Sequence, residues 1–172
     1  MTLVISVLGL KKSGKTTVVE SLVKELKSRG YSVGTVKSMV HSTFSIDVEG
    51  KDTWRHKQAG ADFVISLSEV ESVFIQRTSS RLDLEGIMDM VPECTDILVC
   101  EGLEDGSKGI KKVVCIKDPT MLEETWKVRH IKEGVVAISG IIANDPPADM
   151  GWPVVNCLDR DQLAGLVEML GL

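Results

Sequence analysis

The chain has 172 residues, 43% of them hydrophobic, 26% charged and 4% aromatic, with a formal net charge of −5. That is the balance of one globular domain with an aliphatic core, and its acidity argues against the broad positive field of nonspecific nucleic-acid binding while allowing one small basic pocket. No apolar run approaches the roughly 18 residues of a membrane-spanning helix, and Met1–Leu8 lacks a basic leader and runs straight into a glycine loop, so no membrane contact and a cytoplasmic location are expected.

Leu3–Leu8 reads as a buried strand, followed by a loop over Gly9–Gly14 and a helix from about Lys15 to Arg29. Val19, Leu22, Val23 and Leu26 recur at i, i+3, i+4 and i+7, one apolar face of that helix, and Gly30 is its expected stop. Tyr31–Lys37 is a second strand, which completes the opening of a parallel βαβ unit. Ser38–Gly50 shows no period and reads as a long loop or short hairpin. Lys51–Ala59 is a short helix stopped by Gly60, and Phe63–Leu67 and Val70–Gln76 are adjacent strands paired through Ser68-Glu69.

Leu82–Met90 reads as helical, and Asp96–Cys100 and Lys112–Lys117 as short apolar strands. Pro119–Glu133 has no clean period. Val135–Ser139 is a further strand, extended by Ile141-Ile142-Ala143. The last helix starts at Asp159, with Gln162 placed as in a capping box, and presents Leu163, Leu166, Val167 and Leu170 as its apolar face. With no repeat and no linker, residues 1–172 read as a single domain. Its class is α/β, a mostly parallel sheet with helices on both faces. The cysteines Cys94, Cys100, Cys115 and Cys157 show no C-x-x-C spacing, and Cys100 and Cys115 sit in apolar runs as small hydrophobes.

The segment Gly9-Leu10-Lys11-Lys12-Ser13-Gly14-Lys15-Thr16 matches G-x-x-x-x-G-K-[ST] in full. Its glycines let successive backbone N–H groups turn inward at phosphate oxygens, and the following helix presents its positive end. Lys15 is placed to reach the β- and γ-phosphates, and the Thr16 hydroxyl to coordinate Mg²⁺. The strand before and the amphipathic helix after set this apart from a chance Gly-rich turn. Lys11 and Lys12 either neutralise a polyphosphate or point to solvent. Leu10 occupies the position where one subgroup of such ATPases carries a signature lysine.

Such a loop wants an acid at the end of a neighbouring strand, and Ile97-Leu98-Val99-Cys100-Glu101-Gly102 supplies one. Asp52, in Gly50-Lys51-Asp52-Thr53, is either a helix N-cap or a second acid over the γ-phosphate. Asp47 and Glu49 are weaker candidates. Lys37 ends the second strand at the carboxyl edge of the sheet, where open α/β folds bind ligands. His41 follows it in the polar loop, whereas His56 and His130 stand outside any motif. For the base, Asn144-Asp145 closes an apolar run, and Asp145 can accept from guanine N1–H and N2–H₂. A full Asn-Lys-x-Asp motif is absent, and Asn-Asp-Pro-Pro is also a plain turn.

Taken together, Gly9–Thr17, Thr35-Val36-Lys37, Gly50-Lys51-Asp52-Thr53-Trp54-Arg55 with Ala59-Gly60-Ala61, Ile97–Gly102 and the tail Pro153–Val167 resemble the molybdopterin-guanine dinucleotide biosynthesis protein B (MobB) family. The resemblance implies a homodimeric P-loop protein that binds GTP with Mg²⁺ and hydrolyses it slowly. It also implies a role beside a molybdenum cofactor guanylyltransferase that joins GMP to the molybdopterin cofactor. Carried over by position, Lys15 and Thr16 take the phosphate and Mg²⁺ roles, Asp52 and Glu101 are metal-shell acids, and Lys37 is a lysine of the site. Lys37-Ser38 departs from the family's Lys-His. The alternatives are a nucleotide-binding adaptor with little turnover, a metallochaperone GTPase (which wants a His-rich tract or Cys-x-His pair that this sequence lacks) and a small-molecule kinase or ligase.

Overall fold

A computed structural model describes residues 2–39, 45–78, 80, 82–103 and 109–172. In chain order the regular elements are β1 (Leu3–Gly9), α1 (Lys15–Ser28), β2 (Val33–Lys37), α2 (Asp52–Gln58), β3 (Phe63–Leu67), β4 (Ser72–Gln76) and α3 (Leu84–Met88). They continue with β5 (Ile97–Glu101), β6 (Lys111–Cys115), α4 (Leu122–Val128), β7 (Val135–Ser139) and α5 (Arg160–Met169). The chain divides into two compact units, Met1–Met39 with Met90–Leu172, and Val40–Asp89.

The first unit is built on a five-stranded sheet ordered β2-β5-β1-β6-β7, every pairing in it parallel. Parallel strands are covered on both faces and so need apolar residues on both. Ile5, Val7, Val99, Val113 and Ala137 face one side, where α1 and α5 bury Val19, Leu22, Leu26, Leu163, Leu166 and Leu170 against them. Leu8, Val114, Ile116 and Ile138 face the other side and meet Leu122 and Trp126 of α4. Both apolar stripes expected on the long helices therefore lie in the core. The fold is the expected α/β one, a P-loop NTPase sheet flanked by helices.

Gly30 ends α1 by taking φ 89°. Its N–H bonds to Lys27 O at 3.1 Å and that of Tyr31 to Leu26 O at 3.2 Å, a Schellman closure that returns the chain toward β2. Asp159 caps α5, its carboxylate accepting from the N–H groups of Asp161 and Gln162 at 3.0 Å. The reciprocal half of a capping box is missing, because Gln162 Oε1 accepts instead from the N–H of Asn156 at 2.9 Å. The unperiodic stretch Pro119–Glu133 resolves into a 3-10 turn over Pro119–Met121 followed by α4.

The segment after β7 also departs from expectation. Ile141–Ala143 does not extend β7 but lies in a 3-10 turn, Ile141–Asn144. Gly140 adopts φ 91° and ψ −148° and breaks the strand, after which the Ile141 N–H points at Ser13 O (3.3 Å) and that of Ile142 at Ile116 O (3.2 Å). Ile142 and Ala143 are buried, so the apolar run reports burial and not extended backbone.

In the second unit, β3 and β4 form the expected antiparallel hairpin, with Phe63 opposite Gln76 and Ile65 opposite Phe74. Ser68 closes the turn, its Oγ accepting from the N–H groups of Val70 and Glu71. One face carries Phe63, Ile65, Leu67 and Phe74, all exposed, with the two phenyl rings stacked at 5.4 Å. Alongside, the buried Lys57 ammonium of α2 lies 2.6 Å from Asp47 Oδ2, and the Thr53 hydroxyl donates to Asp47 Oδ1 at 2.7 Å. Hydrogen bonds from Lys57 and Thr53 hold the Asp47 carboxyl below the usual range.

Candidate nucleotide site

The site forms at the carboxyl ends of β1, β2 and β5, where in-register pairing sets Val7, Lys37 and Glu101 level with one another. β1 ends in the loop, and Gly9 is fixed there by space. A Cβ on it would fall 2.3 Å from Cys115 O and 2.6 Å from Ser13 Oγ. Lys12 (φ 62°) and Gly14 (φ 93°) take left-handed backbone, and Gly14 caps α1. Gly14 also abuts Gly140, whose Cα would lie 3.1 Å from an added Cβ. Two glycines from distant segments thus let β7's end press against the loop.

Around that bend the polar groups converge. The Lys15 ammonium donates to Leu10 O at 2.6 Å. The Thr16 hydroxyl reaches both carboxylate oxygens of Glu101, at 3.1 and 3.2 Å. Lys37 forms an ion pair with the same carboxylate. Glu101 is 6% exposed and Lys37 largely open, so the pair has one buried and one exposed partner. Arg129, at the end of α4, donates from Nε to Gly9 O at 3.0 Å. Burial, and then the nearby Arg129 charge, push the Lys15 ammonium below its ordinary value. Ser13 Oγ is buried with no hydrogen-bond partner among the described residues.

These groups line an open hollow of about 470 Å³, in which Lys11, Lys12, Lys15 and Lys37 face Thr16 and Glu101. Ser13, Gly14 and Thr17 complete the loop side of it. A second, smaller hollow of about 140 Å³ shares Gly14, Thr17 and Ile141 with the first and runs on to Asn144 and Asn156. A lysine-lined recess continuous with an apolar-walled one matches the two halves of a nucleotide. A hydroxyl and a carboxylate at contact distance form an oxygen-only donor set, which fits a hard cation such as Mg²⁺.

Of the residues named from the sequence, Lys11–Thr17, Lys37 and Glu101 line the larger hollow. Gly9 and Leu10 shape the loop through their carbonyls, and Asn144 lines the smaller hollow. Asp145 is exposed and lies off that wall. Asp52 belongs to the second unit, where it is the first residue of α2 and not its cap, Lys51 holding that position. Its carboxylate is 90% exposed, 3.8 Å from Arg55. His41 lies outside the described residues. Among the described residues no three His, Cys, Asp or Glu side chains converge as a metal cluster. Sequence reading missed Arg129 and Gly140. Arg129 sits 120 positions from Gly9 in a stretch without period; Gly140 was legible only as a glycine after a strand.

The family model for molybdopterin guanine dinucleotide synthesis protein B (MobB) matches residues 4–139. A molybdopterin-guanine dinucleotide biosynthesis adapter protein of Haemophilus influenzae is 27% identical over 95% of this chain and 86% of its own. A probable adapter protein of the same description from Bacillus subtilis is 31% identical over 74% of this chain and 73% of its own. The crystal structure of Bacillus subtilis MobB superposes with a TM-score of 0.76 at 23% identity, covering 97% of each chain. A complete phosphate loop, a strand-end acid beside it and a match running from β1 to the end of β7 agree: the chain belongs to the MobB family.

Proposed function

We propose that the chain binds a guanine nucleotide with Mg²⁺ at Gly9–Thr16, hydrolyses it slowly, and serves molybdopterin guanine dinucleotide biosynthesis in the cytoplasm beside a molybdenum cofactor guanylyltransferase and its molybdopterin. The observation that carries this is the Thr16–Glu101–Lys37 cluster at the mouth of the loop. Phosphate oxygens replace Leu10 O as the partner of Lys15. Thr16 and Glu101 would hold Mg²⁺, and Lys37, freed from the carboxylate, would turn toward the polyphosphate. When bound, Mg²⁺ would neutralise charge on the polyphosphate. Asn144, on the wall of the smaller hollow, lies at the edge that meets the base.

Turnover is slow in this reading. The lining of the larger hollow includes neither arginine nor glutamine among the described residues, and these are the side chains that usually stabilise transferring phosphoryl charge or orient the water. That same observation favours a second reading, a nucleotide-holding adaptor, in line with the names of the curated relatives. Purified chain with Mg²⁺ and GTP, followed by phosphate release under single-turnover conditions, separates the two. The proposal expects slow release that Lys15→Ala abolishes; release untouched by Lys15→Ala would defeat it, and tight binding with no release selects the adaptor. The exposed face of Phe63, Ile65, Leu67 and Phe74 supports self-association into the homodimer.

A further inference from the structure

The smaller hollow has a polar group that nothing above uses. Asn156 Oδ1 accepts from the N–H of Leu158 at 3.0 Å, while the Asn156 N–H is held by Gln162 Oε1 at 2.9 Å. A backbone N–H can only donate, so the carboxamide's oxygen must be the end that meets Leu158. The orientation of the amide is thereby fixed, and its NH₂ group is the end left to meet a ligand. Asn156 also lines the hollow together with Asn144.

Neither Ser139 nor Asn144 supplies such a fixed donor. The Ser139 hydroxyl is spent on Val155 O at 2.6 Å. Asn144 has no described hydrogen bond that decides which end of its amide faces inward, so a half-turn suits it to a donor or an acceptor alike. Ile141 and Leu158, at 46% and 72% exposure, put apolar side chains at the same hollow. The space, about 140 Å³, is below the roughly 300 Å³ of a drug-sized site and takes one flat ring system.

We infer that Asn156 is the specificity-determining residue of the base subsite and selects 6-oxopurines by donating its amide N–H to the exocyclic carbonyl oxygen O6. Guanine and hypoxanthine present an acceptor at that edge, where adenine presents an amino donor that would face the amide donor head on. The inference rests on the nucleotide reading proposed above and deepens it: the phosphate loop holds any triphosphate, and Asn156 chooses the base.

Calorimetric titration of the full chain with Mg²⁺ and, separately, GTP, inosine triphosphate, ATP and inorganic tripolyphosphate tests it. GTP and inosine triphosphate are expected to bind alike and ATP about tenfold more weakly, one hydrogen bond's worth. Asn156→Ala brings the two 6-oxopurines down to ATP while tripolyphosphate, which also reports that the loop is folded, binds as before. Asn156→Asp presents an acceptor and reverses the order toward ATP. Inosine triphosphate binding as weakly as ATP to the native chain would overturn the assignment, as would discrimination that survives Asn156→Ala or that Asp145→Ala removes instead. If tripolyphosphate binds and all nucleotides follow it equally, the base subsite falls and the phosphate loop stands. If none of the four binds, both fall.

Discussion

In the proposed site anion binding turns on Lys15, and its surroundings work against its charge. Burial and the Arg129 guanidinium both disfavour the ammonium, so the folded chain releases that proton below the ordinary 10.5. Between the lowered value and 10.5 the unfolded chain holds more protons, and this group's contribution to stability rises with pH. Anion affinity moves the other way. Tripolyphosphate binding, titrated from neutral pH upward, should decline before an ordinary lysine would lose its proton, and Arg129→Met should shift that decline to higher pH. At neutral pH, Lys15→Ala should weaken triphosphate binding roughly 10- to 100-fold, the worth of a charge-assisted contact. The thiols give a simpler reading. Cys94 is exposed and the other three are buried, with burial pushing Cys115 and Cys157 upward. A native chain treated with a thiol reagent should therefore react quickly at Cys94 alone, the remainder following only on unfolding.

At the scale of elements, two glycines make opposite predictions. Gly140 has φ 91°, and a Cβ there would lie 2.2 Å from Ser13 O and 3.1 Å from Cys115 Cβ. Gly140→Ala should cost about 2–4 kcal/mol in chemical denaturation and weaken triphosphate binding, since the loop's own carbonyl must move. Gly165 lies within α5 with nothing within 4 Å of an added Cβ. Gly165→Ala should stabilise by about 0.5–1 kcal/mol. The contrast also explains what sequence could and could not reveal. α1 and α5 are legible because 3.6-residue periodicity, a stop glycine and a capping aspartate all act within a few positions. The loop, Lys37 and Glu101 are legible for the same reason, each being tied to the end of a strand. Gly140 against Ser13 and Arg129 against Gly9 are meetings across the fold. Their partners are chosen by strand order, and β7 is separated from β1 by β6. Ile141–Ala143 misleads because burial makes a strand and a 3-10 turn equally apolar.

For the molecule as a whole, the hairpin of the second unit leaves one large apolar face open. If two copies bury it against each other, Ile65→Lys with Phe74→Lys should convert the sedimentation behaviour from dimer to monomer while leaving tripolyphosphate binding intact; an unchanged sedimentation coefficient would count against that surface. Charge is distributed as unevenly as apolar area. The chain carries a formal −5, yet four lysines gather at a single hollow. If that hollow takes a polyanion, its lysines should draw the ligand in against the net negative charge, and capture should be faster than a random collision allows. Added salt should slow this encounter while scarcely altering how long the captured molecule stays.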